Sequence, residues 1–408
     1  MLTYPYFTDT LKEVKDSVIL VNAEPFLIKG VIPAFSQPDI NLASDAGIKQ
    51  ISSLGANLLR IYHVPSSDFM EKISENKMFI IPQPARSNWS DNDFFFRGTS
   101  GLYRRYLRLH KQVVNNPFVL ALNLGNELEI NDKKNIEKIK EVLLRIKSQD
   151  LDLLSLYSTY LSYVHYPGDL IGINMLDTGK VYWDKTIPLL KDFNAPIIAT
   201  EIGGFAAFFE DIDPRIRSLR LREQWEKLIS LKSSGAIIFQ SHDNWAQPVV
   251  TGYNNPFVAE QPDDTRGIWD RENNEKFVAN TVRSIFSDLS VEYLTEDLFN
   301  EGIIEIKLSN KRSYNIQSIA LFKNSSEYKK IGNINIDENM TISIPREEFV
   351  KDNSFELRYE THSGLFGVQV LSSPIILPEA LPFIFDKSQL FINKKTNNTL
   401  SGDILDSE

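Results

Sequence analysis

FVLALNLGNE, residues 118–127, is the first indication of the fold. It is almost continuously apolar, as parallel β-strands covered on both faces are, and it ends abruptly in the polar pair Asn126-Glu127. Seven further runs have the same character, which gives eight candidate strands. These seven are FLIKGVI (26–32), ANLLRIYH (56–63), KMFIIPQP (77–84), LDLLSLYST (151–159), LIGINML (170–176), APIIATEIGG (195–204) and GAIIFQSHDN (235–244).

Amphipathic stretches separate several of these runs. Three of them are DAGIKQISSLGA (45–56), KKNIEKIKEVLLRIKS (133–148) and REQWEKLISLKSSG (222–235). Their apolar residues recur every three or four positions, which indicates helices, and the third ends in Gly235, the residue type expected just beyond a helix C-terminus. Strands that alternate with helices over about 260 residues predict an α/β fold, a (β/α)8 TIM barrel. An open doubly wound sheet is the alternative.

The pattern changes near residue 290. GIIEIKLSN (302–310), SIALFKN (318–324), TISIPR (341–346) and SFELRYETH (354–362) alternate apolar and polar residues, and no helical stretch separates them. This period of two predicts antiparallel strands, and hence a small all-β sandwich after the barrel. We predict a barrel with a short lead-in over residues 1–288, the sandwich over 289–375, and a surface arm with a flexible tail over 376–408.

The composition excludes several classes of function. The net charge is −10, and no nucleic-acid partner is expected because phosphate binding needs a basic face. The sequence has no cysteine, so disulfides, thiolate catalysis and cysteine-ligated zinc are excluded. No run is long enough to span a membrane, and residues 1–17 show no secretion signal. We therefore expect a cytoplasmic protein, or a secreted one whose signal was removed; the oligomeric state is left open.

Two carboxylates follow predicted strands at the end where a TIM barrel carries its active site. Glu127 ends the fourth strand and Glu201 ends the seventh. Retaining glycosidases use two carboxyl groups about 5–5.5 Å apart, one as nucleophile and one as acid/base. Either glutamate alone would more often be a loop residue or an ion-pair partner. Together they indicate glycoside chemistry.

Further polar and aromatic side chains follow the second and eighth strands. Arg60 and His63 end the second strand, and the eighth runs into His242, Asp243 and Trp245. The five histidines of the chain show no HxH or HxxxH spacing, so we predict no metal and no cofactor. We expect the polar residues to hydrogen-bond a sugar, with carboxylates of the site as the alternative partners of the two histidines. We expect Trp245 to stack on a sugar ring, with packing beneath loops as the alternative.

Other candidates carry less weight. Trp89, Tyr182 and Trp183 are possible stacking residues, but packing under loops is favoured for all three. The helical stretch at 94–109 has a basic cluster, Arg97, Arg104, Arg105 and Arg108. For this cluster a solvated helix face is favoured over contact with an acidic polymer.

The strand-end segments resemble glycoside hydrolase family 2, a member of clan A. NNPFVLALNLGNE (115–127) resembles the acid/base segment of that family, and APIIATEIGG resembles its nucleophile segment. VNAEPFLIKGV (21–31), GANLLRIYHVP (55–65) and RGIWDRENNEKF (266–277) are similar to its barrel entry, its second strand and the stretch after its eighth strand. The resemblance covers residues 18–287, with its segments in the family's order.

The resemblance implies a retaining glycosidase that acts on β-linked oligosaccharides by double displacement. Glu127 is then the acid/base and Glu201 the nucleophile. Asn126 binds the sugar 2-hydroxyl, and Arg60 lies beneath Glu201 and keeps it ionised. A transglycosylase that uses the same site, and a catalytically silent carbohydrate-binding barrel, are the alternatives.

The sequence departs from the family at several positions, one of them the aromatic residue of the eighth strand, which is displaced to Trp245. The tryptophan before Asn-Glu is replaced by Asn-Leu-Gly, and the aromatic residue after the sixth strand has no equivalent near Asp177. The Asn-x-Lys that marks glucuronidases is here Asp264-Thr265-Arg266. The resemblance therefore implies a substrate of neutral hexoses rather than a uronic acid.

Overall fold

The structure is a computed structural model. It describes residues 11–33, 45–84, 98–126, 133–149, 153–159, 168–175, 194–203, 214–243, 266–294, 302–311, 316–324, 326–350, 355–361 and 366–371. These segments build a small N-terminal antiparallel sheet, parallel strands flanked by helices, and two further antiparallel sheets. None of the helices in these segments is long and apolar enough to cross a membrane.

Strands lie in all eight predicted runs. The N-terminal sheet contains β1 (Lys12–Lys15), β2 (Val18–Val21) and β3 (Glu24–Pro25). The parallel strands are β4 (Ile28–Ile32), β5 (Leu58–Ile61), β6 (Phe79–Pro82), β7 (Ala121–Asn123), β8 (Leu154–Leu156), β9 (Ser158–Thr159), β10 (Ile171–Asn174), β11 (Ile197–Ile202) and β12 (Gly235–Phe239). The helices among them are α1 (Asp45–Ser52), α2 (Ser67–Glu75), α3 (Gly98–Val113), α4 (Lys133–Lys147) and α5 (Pro214–Ser230). The α/β class is thereby confirmed.

Seven of the parallel strands form one curled sheet in the order β6-β5-β4-β12-β11-β10-β9. The first and last of the parallel strands, β4 and β12, pair directly, from Ile28 with Gly235 to Ile32 with Phe239. In an open doubly wound sheet the strand numbers rise outward on both sides of the first strand. Here they fall from β12 to β9, so the sheet curls back on itself as a barrel does.

The curled sheet is not closed into one continuous ladder. β7 and β8 form a separate two-stranded ladder between its two ends. On one side, an isolated bridge and not a continuous ladder joins β6 to the segment before β7: Ile80 N–H donates to the Phe118 carbonyl at 2.8 Å, and Leu120 N–H donates to the Ile80 carbonyl at 3.0 Å. On the other side, Tyr157 interrupts the strand between β8 and β9. The closed (β/α)8 barrel expected from the sequence is therefore not formed by the described residues, because the hydrogen-bond ladder is broken at these two places.

Gly235 allows β12 to lie directly against β4. Its φ is +111°, and a Cβ at this position would lie 2.1 Å from the carbonyl oxygen of Ile28. No other residue fits there without moving a strand. The sequence-based interpretation of Gly235 as the residue just after a helix was wrong: α5 ends at Ser230, and Gly235 begins β12. Close backbone approach, and not helix capping, explains the glycine.

The basic cluster predicted on a helix lies on α3. Arg104 and Arg108 are exposed and Arg105 is half-buried, as a solvated helix face requires. Arg97 lies outside the described residues.

Antiparallel strands follow the last barrel helix, α6 (Val278–Phe286). Their bounds, with those of one short helix, are β13 (Leu289–Tyr293), β14 (Ile303–Asn310), β15 (Ile316–Lys323), β16 (Ser326–Ile334), β17 (Asn339–Pro345), α7 (Arg346–Val350), β18 (Phe355–Thr361) and β19 (Phe366–Leu371). They form two sheets, β13-β14-β17 and β16-β15-β18-β19, which share one apolar core. The domain boundaries at 288 and 375 stay predictions, and residues 376–408 lie outside the described residues.

A buried ion pair joins the parallel sheet to the antiparallel ones. Lys29 Nζ on β4 lies 2.6 Å from each carboxylate oxygen of Asp288, which precedes β13. Tyr359 on β18 donates its hydroxyl to Asp288 Oδ2 at 3.1 Å and accepts the Asp288 backbone N–H at 2.8 Å. The lysine and aspartate side chains are only 5% and 2% exposed. A buried charge left without its partner is strongly destabilising, so these three residues hold the two parts together.

We predict that Lys29→Met lowers the free energy of unfolding by about 3–5 kcal/mol, because the Asp288 carboxylate then stays buried without its cation. Tyr359→Phe removes a donor to the buried carboxylate and the acceptor of the Asp288 N–H, so it should cost about 1.5–3 kcal/mol. The control is Lys77→Met, which breaks a second ion pair, with Glu360 at 3.8 Å, whose side chains are 30% and 33% exposed. That change should cost at most about 1 kcal/mol. Urea denaturation measures all three, and equal losses for Lys29→Met and Lys77→Met would contradict the assignment.

Candidate active site

Arg60 is a fully buried guanidinium near the carboxyl end of β5. A buried cation must be paired and hydrogen-bonded, and neighbouring strands supply the acceptors. Nη1 donates to Glu201 Oε1 at 2.8 Å and to the Thr200 carbonyl at 2.9 Å. Nη2 donates to Asn126 Oδ1 at 2.6 Å. This one side chain therefore joins β5 to β11 and to the segment that follows β7.

Glu201 is the carboxylate at the centre of these contacts. It lies near the end of β11 and is 2% exposed. Tyr62, just beyond β5, donates its hydroxyl to the same oxygen, Oε1, at 2.5 Å. Two donors on one carboxylate oxygen fix the orientation of the group and stabilise its charged form. Gly203, with φ of +81°, turns the chain directly after the strand.

Asn126 and Asn174 extend the network between strand ends. Asn174, the last residue of β10, donates Nδ2–H to Asn126 Oδ1 at 3.0 Å. Its own Oδ1 accepts the Thr200 hydroxyl at 2.8 Å. Asn126 Oδ1 thus accepts from both Arg60 and Asn174, which determines which way the Asn126 amide is turned. Both asparagines are buried, with 7% and 1% exposed.

The structure brings together three residues predicted from the sequence: Arg60, Asn126 and Glu201. Glu127, the predicted acid/base, is next to Asn126 in the chain but lies outside the described residues. Five other residues singled out in the sequence also lie outside the described residues: Trp89, Asp177, Tyr182, Trp183 and Trp245. His63 is half-buried in the bend after β5.

His242 and Asp243 contact the segment at 266–276. Asp243 Oδ1 accepts the Gly267 N–H at 2.7 Å, and Lys276 Nζ lies 3.0 and 3.1 Å from the two carboxylate oxygens. Burial lowers the pKa of Lys276, and the charge of Asp243 opposes that shift. His242 lies between the Ser241 hydroxyl (3.0 Å) and Asn273 Oδ1 (2.9 Å).

Through these contacts, His242 and Asp243 hold the segment at 266–276 against the end of β12. No hydrogen bond among the described residues joins His242 or Asp243 to the Arg60 network. Substrate binding by His242, Asp243 and His63 stays a prediction.

Sequence reasoning missed two members of the network, Tyr62 and Asn174. Tyr62 lies two residues after Arg60 within GANLLRIYHVP, and Asn174 is the polar residue near the end of LIGINML. Both occupy the strand-end position that singled out the other site residues, which is the signal that could have found them. The sequence offers many such residues, and only the register of the sheet selects these two.

The arrangement supplies a buried, charge-paired carboxylate and an oriented amide at the carboxyl ends of parallel strands. A carboxylate held in this way can act as a nucleophile or a base. Preorganised donors such as Arg60 and Tyr62 stabilise charge on it without further rearrangement. Among the described residues, no group of three His, Asp or Glu side chains could hold a metal ion.

The fold is similar to that of glycoside hydrolase family 2 enzymes. One similar structure is a GH2 β-galacturonidase from Eisenbergiella tayi, with a TM-score of 0.56 and 18% identity over 68% of this chain and 53% of that one. A second is a β-glucuronidase from an uncultured Clostridium species, with a TM-score of 0.54 and 18% identity over 68% and 53% of the two chains. A third is a β-glucuronidase from Bacteroides uniformis, with a TM-score of 0.51 and 13% identity over 88% and 51%.

These matches concern the fold. The chain spans about half the length of the solved structures that it resembles. No family model matches the sequence, and no curated protein matches it. The similarity supports an α/β fold of the kind found in these glycosidases, and activity has to be argued from the residues of the site.

We predict that Arg60→Met lowers the free energy of unfolding by about 3–5 kcal/mol, because the Glu201 carboxylate loses its cation while it stays buried. The double variant Arg60→Met/Glu201→Gln should be more stable than Arg60→Met, since a neutral amide needs no counter-charge. Arg60→Lys keeps the charge but not the planar fork that reaches both Glu201 and Asn126, so its loss should be intermediate. Urea denaturation of the wild type, Arg60→Met, Glu201→Gln and the double variant gives the coupling energy. A double variant no more stable than Arg60→Met would show that the ion pair is not the reason for the loss.

Proposed function

We propose that this protein is a retaining glycosidase that cleaves β-linked oligosaccharides, with Glu201 as nucleophile and Glu127 as acid/base. The observation that carries the proposal is the buried contact of Arg60 with both Glu201 and Asn126, at 2.8 and 2.6 Å. It links the strand end that bears the proposed nucleophile to the one that leads into the proposed acid. The fold shared with family 2 glycosidases supports the same assignment.

The first chemical step forms a covalent intermediate. Glu201 attacks the anomeric carbon, the bond to the leaving oxygen breaks, and Glu127 gives its proton to that oxygen. Arg60 and Tyr62 both donate to Oε1 of Glu201 and so fix the orientation of the attacking carboxylate. Asn126 donates from Nδ2 to the sugar 2-hydroxyl, because its Oδ1 already accepts two hydrogen bonds.

The second step releases the sugar. Glu127, now a carboxylate, removes a proton from water, and the water oxygen attacks the anomeric carbon as the bond to Glu201 breaks. The two displacements give a product of the original β configuration. A transglycosylase differs only here, since a sugar hydroxyl takes the place of water. Product analysis at high acceptor concentration separates the two activities.

The proposed substrates are neutral β-linked hexoses, since the Asn-x-Lys of glucuronidases is Asp264-Thr265-Arg266 in this sequence. The Arg266 guanidinium lies 4.3 Å from the ring centroid of Phe239, at the end of β12. Because a cation is present there, the substrate panel should hold aryl β-glucuronides and β-galacturonides beside aryl β-glucosides, β-galactosides and β-mannosides. Turnover of any of these substrates by the folded protein excludes the alternative of a catalytically silent sugar-binding barrel.

We predict that Glu201→Gln lowers activity by several orders of magnitude, because an amide is isosteric with the carboxylate but barely nucleophilic. The variant should be less stable than the wild type, because the buried Arg60 loses its counter-charge, but it should remain folded because the amide oxygen can still accept from Arg60 and Tyr62. Initial rates on the best substrate of the panel and a thermal melt measure the two effects. Glu223→Gln, which changes an exposed residue on α5, is the matched control and should be fully active. Near-normal rates for folded Glu201→Gln would remove Glu201 from the mechanism.

We predict that Glu127→Ala keeps a fast first turnover on a 2,4-dinitrophenyl glycoside, whose leaving group needs no proton, and then slows because the second step lacks its base. Azide needs no base, so it should accelerate the second step and yield the β-glycosyl azide. Stopped-flow release of the phenol and NMR of the product measure both. If folded Glu127→Ala shows neither acceleration nor a β-azide, the acid/base assignment fails; an α-azide would contradict retention.

A further inference from the structure

A second buried polar cluster lies beside the Arg60 network. Its members are Gln83, directly after β6, Asn123, the last residue of β7, and Ser158, the first residue of β9. None of the three is exposed. Asn123 Nδ2 lies 3.1 Å from Gln83 Oε1 and 3.2 Å from the Ser158 hydroxyl. The cluster therefore crosses from β6 to β9 through the strand that leads to Glu127.

Stability alone does not account for this cluster. Apolar side chains could fill the same space, and buried polar groups are unfavourable unless their hydrogen bonds are complete. Here they are incomplete, because Gln83 Nε2 has no hydrogen-bond partner among the described residues. Buried hydrogen-bond networks rigidify the segments that they join, and the bonds that this cluster does make hold the strand that leads to Glu127.

Asn123 also holds the backbone between itself and the site. Its Oδ1 accepts the N–H of Gly125 at 3.3 Å, and the Gly125 carbonyl accepts the Ser158 N–H at 3.0 Å. Between them, Leu124 N–H donates to the Leu156 carbonyl at 2.8 Å. The next residue, Asn126, is held by Arg60 and Asn174 as described above. Every residue from 123 to 126 is thus anchored, and the residue that follows is Glu127.

We propose that Gln83, Asn123 and Ser158 are positioning residues that set where the Glu127 carboxyl lies. The inference rests on the proposed function, in which Glu127 protonates the leaving oxygen. General acid catalysis contributes about 10²–10⁴-fold and needs the acid within hydrogen-bond reach of that oxygen. A displacement of about 1 Å can cost about 10²-fold in rate. The anchored segment prevents such a displacement.

The test compares substrates with good and poor leaving groups, because a misplaced acid slows only the substrates whose leaving group needs a proton. Asn123→Ala and Ser158→Ala are compared with the wild-type protein on a series of aryl β-glycosides of the preferred sugar and on the corresponding disaccharide. The measured quantity is kcat/KM, which reports the first chemical step. We expect kcat/KM to fall about 10²-fold on the disaccharide and to change little on the 2,4-dinitrophenyl glycoside. Across the aryl glycosides of intermediate reactivity, kcat/KM should depend more steeply on the pKa of the phenol than it does in the wild type.

Ser155→Ala is the matched control. Ser155 is a buried serine on β8, three residues before Ser158, but its hydroxyl donates to Asp169 at 2.6 Å, away from Asn123. Its loss should lower the melting temperature as much as Ser158→Ala does and leave the leaving-group dependence unchanged. Ser158→Ala is a small change, so the test stands even if Asn123→Ala fails to fold.

The possible outcomes distinguish the positioning role from the proposed glycosidase activity on which it rests. A steeper leaving-group dependence in Asn123→Ala or Ser158→Ala, and not in Ser155→Ala, supports the positioning role. An equal loss on all substrates, or the same steepening in Ser155→Ala, overturns it and leaves the glycosidase assignment intact. A folded wild-type protein that turns over no glycoside of the panel overturns the proposed function and the inference with it.

Discussion

The burial of the Arg60 guanidinium is the constraint on which the site depends. A cation with no exposed surface must find acceptors inside the protein, and Arg60 finds them on the ends of other strands. A buried ion pair is weak evidence of stabilisation, because apolar side chains of similar volume are often as stable. Its effect is to specify geometry: Glu201 and Asn126 can lie only where one planar fork reaches both.

A second buried cation, Lys29, attaches the antiparallel sheets at the other end of the parallel sheet. It lies near the start of β4, whereas Arg60 lies near the end of the adjacent parallel strand β5. Lys29 binds Asp288 at the start of the antiparallel sheets, so these sheets are attached toward the amino ends of the parallel strands. The candidate site lies at the carboxyl ends of the strands, where Glu201 and Asn126 are found. The two ion pairs thus lie at opposite ends of the parallel strands, one at the attachment of the antiparallel sheets and one at the candidate site.

The sequence predicted the strands well because burial on both faces leaves a continuous apolar run, a signal that is local. It predicted Arg60, Asn126 and Glu201 because each ends such a run. It missed Asn174 and Tyr62, whose role depends on which strands are neighbours and in what register, and no single segment contains that information. Gly235 was misread for a related reason: a glycine after a helix and a glycine against another backbone look alike in sequence. The break between β8 and β9 likewise depends on long-range pairing.

The donors on Glu201 Oε1 have opposite effects on the two steps of the proposed mechanism. Arg60 and Tyr62 stabilise the carboxylate, and a stabilised carboxylate is a weaker nucleophile when the sugar is attacked. In the second step the same carboxylate is the leaving group, and the donors then stabilise the charge that returns to it. In that mechanism the first step therefore depends more heavily on protonation of the leaving oxygen, the role proposed for Glu127. In the proposed mechanism a nucleophile held this firmly needs an acid placed just as firmly, and the chain that leads to the proposed acid is anchored from Asn123 to Asn126.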